Sequence, residues 1–235
     1  MTITYESKTQ EASNIATFHF RPEKPIHYTA GQFVELTLKH SKPDSRGVKR
    51  WFTLSSAPSD EFISITTKFA SKNGSSFKHA LLKLKPGDEL IISDPMGDFV
   101  LPKLIQTPLV FVAGGIGITP FHSMMSWLNV VKEERPIKLL VGVNNEDEIV
   151  FQDTISKSKI HTTTVVSSPS GTWGGETGRL SAELILGLEE PNENTLIYIS
   201  GPEPMVEHLE KDLKKAGIKK HQLVLDFFPN YDENY

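Results

Sequence analysis

The chain contains no cysteine in 235 residues. That excludes a disulfide framework, a thiolate zinc site, a catalytic thiol and a cysteine-held iron–sulfur cluster within it. It also has no apolar run approaching the roughly 18 residues of a membrane-spanning helix. Basic residues are in slight deficit, with 25 Lys+Arg against 29 Asp+Glu and a net charge of −4, which argues against nucleic-acid binding. The first ten residues alternate polar and apolar and lack the apolar centre of a signal peptide, so a cytoplasmic location is expected. The 38% hydrophobic and 23% charged content is that of an ordinary folded protein. At roughly 150 residues per domain, the length suits one large domain or two compact ones.

Two halves follow different patterns. Up to about Pro102 the chain reads as strands: Thr2–Lys8, Ala16–Arg21, Gln32–His40, Arg50–Ser56, Glu61–Phe69 and Glu89–Ser93. Turn signals such as Thr29-Ala30-Gly31 and Asp94-Pro95-Met96-Gly97 punctuate them. One helix is expected at Ser75–Leu84. Short strands at this spacing predict a small antiparallel Greek-key barrel. From Leu109 the buried runs Leu109–Ala113, Lys138–Val143, Thr162–Val166, Leu196–Ser200 and Leu223–Phe227 alternate with helical patterns, clearest at Pro120–Val131 and Glu203–Ala216. That alternation predicts a doubly wound parallel sheet. The expected fold class is therefore β + α/β, with domains at 1–104 and 105–235 and a ligand site between them.

Two motifs carry chemistry. After Leu109–Ala113 comes Gly114-Gly115-Ile116-Gly117-Ile118-Thr119-Pro120 and then a helix. Glycines at the carboxyl end of a parallel strand admit a ligand close to the backbone. Thr119 suits a helix N-cap and Pro120 the first helical position, where unpaired N–H groups favour a pyrophosphate. The spacing is not that of the G-x-G-x-x-G dinucleotide fingerprint, and a plain tight turn also uses glycine. The second motif is Arg50-Trp51-Phe52-Thr53-Leu54-Ser55-Ser56. Arg holds phosphate bidentately, Phe covers an aromatic ring and a Thr hydroxyl can bond a ring nitrogen. Taken singly, Arg50 reads as a solvated strand charge and Phe52 as core.

Taken in order, these segments resemble the ferredoxin–NADP reductase superfamily over nearly the whole chain. Tyr28-Thr29-Ala30-Gly31-Gln32-Phe33 is similar to its strand entry, and Arg50-x-Phe52-Thr53 to its R-x-[YF]-[ST] flavin motif. Asn73-Gly74-Ser75-Ser76-Phe77 resembles its phosphate-cradling turn. Lys85-Pro86-Gly87-Asp88 and Asp94-Pro95-Met96-Gly97 match its barrel-closing segments. Ala113 to Pro120 resembles its nicotinamide-nucleotide motif, and Ser200-Gly201-Pro202-Glu203-Pro204-Met205 its C-G-P-x-x-M.

The resemblance implies an FAD-dependent NAD(P)H oxidoreductase without an iron–sulfur domain, FMN being the less favoured flavin. Arg50 would pair with the flavin pyrophosphate, Phe52 would lie against the isoalloxazine and Thr53 would bond near N5. Leu54 and Ser55 continue that strand, Thr66, Thr67 and Lys68 would line the flavin's polar edge, and Gly74, Ser75 and Ser76 would bind phosphate. Gly114, Gly115, Gly117, Thr119 and Pro120 would hold the nicotinamide nucleotide, with Gly201, Pro202 and Met205 shaping its slot. Hydride would pass from nicotinamide C4 to flavin N5 beside Thr53, Ser200 and Phe228. Without cysteine, electrons would leave directly from the flavin.

Three positions depart from the family pattern. Ser200 replaces Cys and Phe52 the commoner Tyr. The ending Asp226-Phe227-Phe228-Pro229-Asn230-Tyr231 resembles E-x-F-x-G-Y with Asp and Asn substituted; either Phe228 or Tyr231 would cover the flavin's far face. The stretch Asn144-Asn145-Glu146-Asp147-Glu148 offers a 2′-phosphate no cation, which favours NADH over NADPH. Arg135, Lys157, Lys159 and Arg179 are the cations able to reverse that preference.

No metal-binding pattern occurs among the eight histidines, and His122 reads as a polar contact or an exposed residue. Lys211, Lys214, Lys215, Lys219 and Lys220 read as a solvated face, or with Arg46, Lys49 and Lys72 as a dock for an acidic redox protein. The expected acceptor is a separate carrier such as a ferredoxin, flavodoxin or haem protein. The alternatives are a small acceptor (free flavin, ferric chelate or quinone), or a flavin-binding regulatory subunit with little activity alone.

Overall fold

The computed structural model describes residues 1–69 and 74–228, with Phe228 described by its backbone only. Lys72, Asn73 and Tyr231 therefore lie outside the described residues. The first half forms strands β1 (Thr2–Ala12), β2 (Ile15–Pro22), β3 (Phe33–Thr37), β4 (Lys49–Thr53), β5 (Ile63–Lys68) and β6 (Glu89–Ile92), with helix α1 (Ser76–Leu81) before β6. They pair antiparallel in the order β4-β3-β6-β1-β2-β5. The two ends meet where Leu54 bridges Ile65 and the Ser55 amide donates to the Ser64 carbonyl at 2.8 Å. Period-two alternation places Phe18, Phe20, Val34, Leu36, Leu54 and Ile65 inside, where Phe77 and Leu81 of α1 complete the core.

The second half forms β7 (Leu109–Gly114), α2 (Ile118–Val131), β8 (Ile137–Val143), α3 (Gln152–Ser158), β9 (His161–Val166), β10 (Glu176–Thr177), α4 (Ala182–Glu189), β11 (Leu196–Pro202), α5 (Glu203–Lys215) and β12 (Leu223–Phe228). The parallel sheet runs β10-β9-β8-β7-β11-β12. Alternation along β7 sends Phe111 and Ala113 toward α2 with Phe121 and Met124. Val110 and Val112 point to the opposite face, against Val206, Leu209 and Leu213 of α5. Ile15, Ala30 and Phe99 of the barrel half join the Phe111 cluster, so apolar packing ties the barrel to the sheet.

The chain winds outward from β7 to β10 and then returns to β11, so the strand order reverses between β7 and β11. The crevice at their carboxyl ends is where such sheets take ligands. Three local expectations are corrected. The helix expected at Ser75–Leu84 spans only Ser76–Leu81, because turns closed by the Lys83 and Leu84 amides end it. Thr119 is not the N-cap: a 3-10 turn at Gly115–Gly117 feeds directly into α2, whose N-cap is Gly117. Thr119 therefore lies inside the helix, its hydroxyl donating to the Ile116 carbonyl at 3.1 Å, and Pro120 is the third helical residue rather than the first.

Candidate active site

A cleft of about 590 Å³ opens where β4, β5 and α1 of the barrel face the Gly115–Gly117 turn, the start of α2 and the end of β12. Of the residues expected from the sequence, it brings together Arg50, Phe52, Thr53, Thr66, Thr67, Ser75 and Thr119. It adds Phe33, Glu35, Lys49, Trp51, Lys78, Ile116, Asp226 and Phe227, to which the sequence reading gave no role in the site. Lys78 had a legible signal: it lies three residues after Ser75, one helical turn on, and so shares its face.

Arg50 is held on nearly every donor. Its Nη1 donates to the carbonyls of Arg46, Gly47 and Lys49 at 2.9, 3.2 and 2.6 Å. Its Nη2 reaches Asp44 Oδ1 at 2.9 Å and the Ser75 hydroxyl at 3.4 Å. Only Nε is buried without a partner. Burial lowers the Arg50 pKa, opposed by the Asp44 carboxylate. Burial would push Asp44 up, yet hydrogen bonds from the Arg46 side chain and from the Ser76 and Arg46 amides hold it well below the carboxylate range. Ser76 is thus engaged with Asp44 rather than the cleft, through both its amide and its hydroxyl at 3.0 Å.

Phe52 borders the cleft with its ring largely in the barrel core, 5.8 Å from Phe77. Leu54 is wholly core, and Ser55 faces a second cavity. Lys68 leaves the cleft altogether: its ammonium pairs with Glu148 Oε1 at 2.6 Å, joining β5 to the sheet half. Lys78, buried at 8% exposure, donates to the Lys68 carbonyl at 2.7 Å.

The glycine-motif residues gather at the ends of β7 and β11. A side chain at Gly117 would strike the Ser200 carbonyl, and one at Gly114 would overlap Met205 and crowd Pro202. Gly115, at φ 51°, has open space where a side chain would project. Ser200 is fully buried, and its hydroxyl donates to Asp226 Oδ2 at 3.2 Å. Burial raises the Asp226 carboxyl to about 6, the Ser200 hydrogen bond pulling the other way. Phe228 is placed by its backbone opposite Pro202.

His122 makes polar contacts rather than facing solvent. Nδ1 donates to the Ser55 carbonyl at 2.7 Å, Nε2 accepts from Thr154 at 3.0 Å, and the ring stacks on Phe151 at 3.8 Å. Burial lowers its pKa to about 4. In α5, Lys214 pairs with Glu210 and Lys215 with Asp212, so that part of the basic run is neutralised within its own helix. No helix among the described residues is long and apolar enough to cross a membrane.

The residues fit a flavin dinucleotide: an unpartnered buried Arg50 Nε, a buried Lys78 and a hydroxyl-lined wall suit phosphates and a polar ring edge. Open space beside Gly115 suits a second nucleotide at the switch point. When bound, FAD supplies an acceptor of hydride from a nicotinamide and a donor of single electrons. A barrel and a parallel sheet meeting at such a cleft form an architecture able to hold a flavin beside a nicotinamide nucleotide.

Known proteins agree. Residues 2–101 match the oxidoreductase FAD-binding domain model and residues 111–211 the oxidoreductase NAD-binding domain model. Flavohemoprotein A of Dictyostelium discoideum is 28% identical over 95% of this chain and 59% of its own length. NADH oxidoreductase HCR of Escherichia coli is 26% identical over 90% of this chain and 63% of its own. The chain spans about three-fifths of these curated relatives. The fold is shared with the cytochrome P450 reductase GcoB from Amycolatopsis (TM-score 0.84, 19% identity, 97% of this chain and 69% of that one). It is also shared with a ferredoxin NADP+ reductase from Neisseria gonorrhoeae (TM-score 0.82, 18% identity, 97% and 98%). The chain carries the oxidoreductase FAD-binding and NAD-binding domains and has the fold of ferredoxin–NADP reductase-like proteins.

Proposed function

We propose that this reductase takes hydride from NADH onto FAD seated in the cleft and passes the electrons to a separate carrier protein in the cytoplasm. The observation that carries the reading is the meeting of Arg50, Lys78, Thr53 and Asp226 in one cleft at the strand-order reversal. Residues 1–104 act as the flavin module and 105–235 as the nucleotide module. Arg50 Nε, Lys78 and Ser75 hold the phosphates, while Phe52, Thr53, Thr66 and Thr67 border the ring. Gly114, Gly115, Gly117 and Gly201 let the nicotinamide nucleotide approach the backbone. Ser200 and Asp226 position a proton-bearing pair where the ring arrives, and Phe228 or Tyr231 covers the flavin.

Support for NADH comes from Glu146. Its Oε1 accepts from the Ser170 amide and hydroxyl at 2.8 and 2.7 Å, and the Ser170 side-chain bond leads in lowering its pKa. A fixed anion beside Asn144 and Ser167 disfavours a 2′-phosphate. Support for a carrier protein comes from relatives described as flavohemoproteins and a P450 reductase.

The test is to purify the chain, measure bound FAD, and mix anaerobically with NADH or NADPH before offering acceptors. Rapid bleaching by NADH followed by recolouring with a one-electron carrier is expected. FAD that neither nucleotide bleaches would overturn the reading.

A further inference from the structure

Asp44 lies in the loop between β3 and β4, shortly before Arg50. Its carboxylate takes three hydrogen bonds on each oxygen. Oδ1 accepts from the Arg46 amide at 3.0 Å, Arg46 Nε at 3.2 Å and Arg50 Nη2 at 2.9 Å. Oδ2 accepts from Arg46 Nη2, the Ser76 amide and the Ser76 hydroxyl, each at 3.0 Å. The Ser76 hydroxyl oxygen in turn accepts from the Asp44 amide at 2.9 Å. One carboxylate therefore ties two arginines of the cleft wall to the first residue of α1.

This arrangement determines which part of Arg50 a ligand can meet. The N–H groups on Nη1 and Nη2 have acceptors in Asp44, Ser75 and the carbonyls of Arg46, Gly47 and Lys49. Nε is buried and has none. A buried donor without an acceptor carries a desolvation cost, which an anion at Nε removes. Arg50 is thus set to meet a phosphate through one N–H rather than as a bidentate fork. Asp44 also lets two cations share one wall. Burial lowers the Arg50 pKa most, the Asp44 charge raises it and the neighbouring Arg46 charge lowers it.

We propose that Asp44 is a positioning residue for flavin binding, fixing Arg50 so that Nε alone of its donors is left for the flavin phosphate. The inference rests on FAD seating in the cleft. Asp44 acts from behind the wall. Arg46, Arg50 and Ser75 line the cleft, whereas Asp44 and Ser76 are not among the described residues that do. An aspartate competing with phosphate for the arginine would have to stand in the cleft itself. Nor has Asp44 room for a ligand of its own. A carboxylate offers about four lone-pair sites, and its two oxygens are already crowded by donors from Arg46, Arg50 and Ser76.

Stability alone does not account for the cluster. Replacing a desolvated ion network by apolar residues of similar volume is often neutral or stabilising. A network built only for rigidity would also satisfy every donor, yet Nε stays open. What the brace supplies is preorganisation. A guanidinium already held by the Asp44 carboxylate and three carbonyls loses little freedom when the ligand arrives.

The test titrates the full chain, freed of flavin, with FAD and with riboflavin, which lacks the phosphates. Asp44→Asn is expected to weaken FAD binding by about tenfold, the scale of one charge-assisted hydrogen bond. Riboflavin affinity should stay within about twofold of wild type, since no phosphate contact is at stake. In an Arg50→Ala background Asp44→Asn should cost nothing further, because no guanidinium remains to be placed. Ser76→Ala, which removes one anchor of Asp44 outside the cleft, should weaken FAD by about threefold and likewise lose its effect without Arg50. If Asp44→Asn does not fold, Ser76→Ala carries the same cycle. FAD affinity unchanged or tightened, a loss shared by riboflavin, or an equal loss in both backgrounds would overturn the positioning role. A wild-type chain that binds no FAD overturns the cofactor reading and this role with it, whereas any of those outcomes with FAD bound to wild type overturns the role alone.

Discussion

The Ser200 hydroxyl donates to the Asp226 carboxylate at 3.2 Å, between register neighbours on the parallel strands β11 and β12. Burial lifts the Asp226 pKa from 3.8 to about 6. A carboxyl raised on folding adds stability below its unfolded pKa, and that stability is lost as pH climbs through the folded value. From the shift it is on the order of 3 kcal/mol, at about 1.4 kcal/mol per pKa unit. Asp226→Asn is therefore expected to be more stable than wild type at pH 8, with the advantage shrinking toward pH 4. Urea unfolding at a series of pH values measures this.

His122 acts with the opposite sign over an overlapping range. Its pKa falls from 6.5 to about 4 on folding, so its contribution is complete above 6.5 and is lost as pH drops through 4. In wild type the two residues offset each other between pH 4 and 6. His122→Gln should leave the Asp226 trend exposed, with stability relative to wild type improving as pH falls. The same urea series decides it, and parallel curves for wild type and variant would contradict it.

Arg50→Ala is expected to weaken FAD binding by roughly 10- to 100-fold, the loss of a charge-assisted hydrogen bond of about 1.5–3 kcal/mol. Arg50→Lys should not restore it, because an ammonium cannot hold the loop carbonyls and also present Nε geometry. Fluorescence quenching on FAD titration reads both.

Lys68 and Glu148 form an ion pair in which the side chains are 15% and 9% exposed. Removing one partner strands a buried charge. Lys68→Met should cost about 3 kcal/mol, and the double replacement with Glu148→Leu should recover most of it. A double-mutant cycle in urea measures the coupling.

Glu146→Arg should raise kcat/KM with NADPH and lower it with NADH, by about tenfold in their ratio. That corresponds to roughly 1.4 kcal/mol of differential binding. Steady-state rates with both nucleotides give the answer.

The alternating first half, the strand–helix second half and the glycine motif after β7 were all legible in the chain, because burial periodicity and turn chemistry are local properties. So were Arg50, Thr53, Ser75 and Thr119 as neighbours-to-be, through the resemblance of their motifs. The helix start was misplaced from Thr119, since a 3-10 turn and an α-helix share the same residue preferences for their first turn. The short elements α3, α4 and β10 carry too few residues to display a period.

What only the tertiary structure decided are the partnerships between distant residues. Lys68 and Thr66 lie two positions apart on one strand, yet one pairs with Glu148 across the interface and the other borders the cleft. Asp44 claims Ser76 and braces Arg50, and Asp226 meets Ser200. Sequence sets which chemistry each position can perform. Which groups become desolvated together depends on how the elements pack, and burial in that packing sets the raised pKa of Asp226.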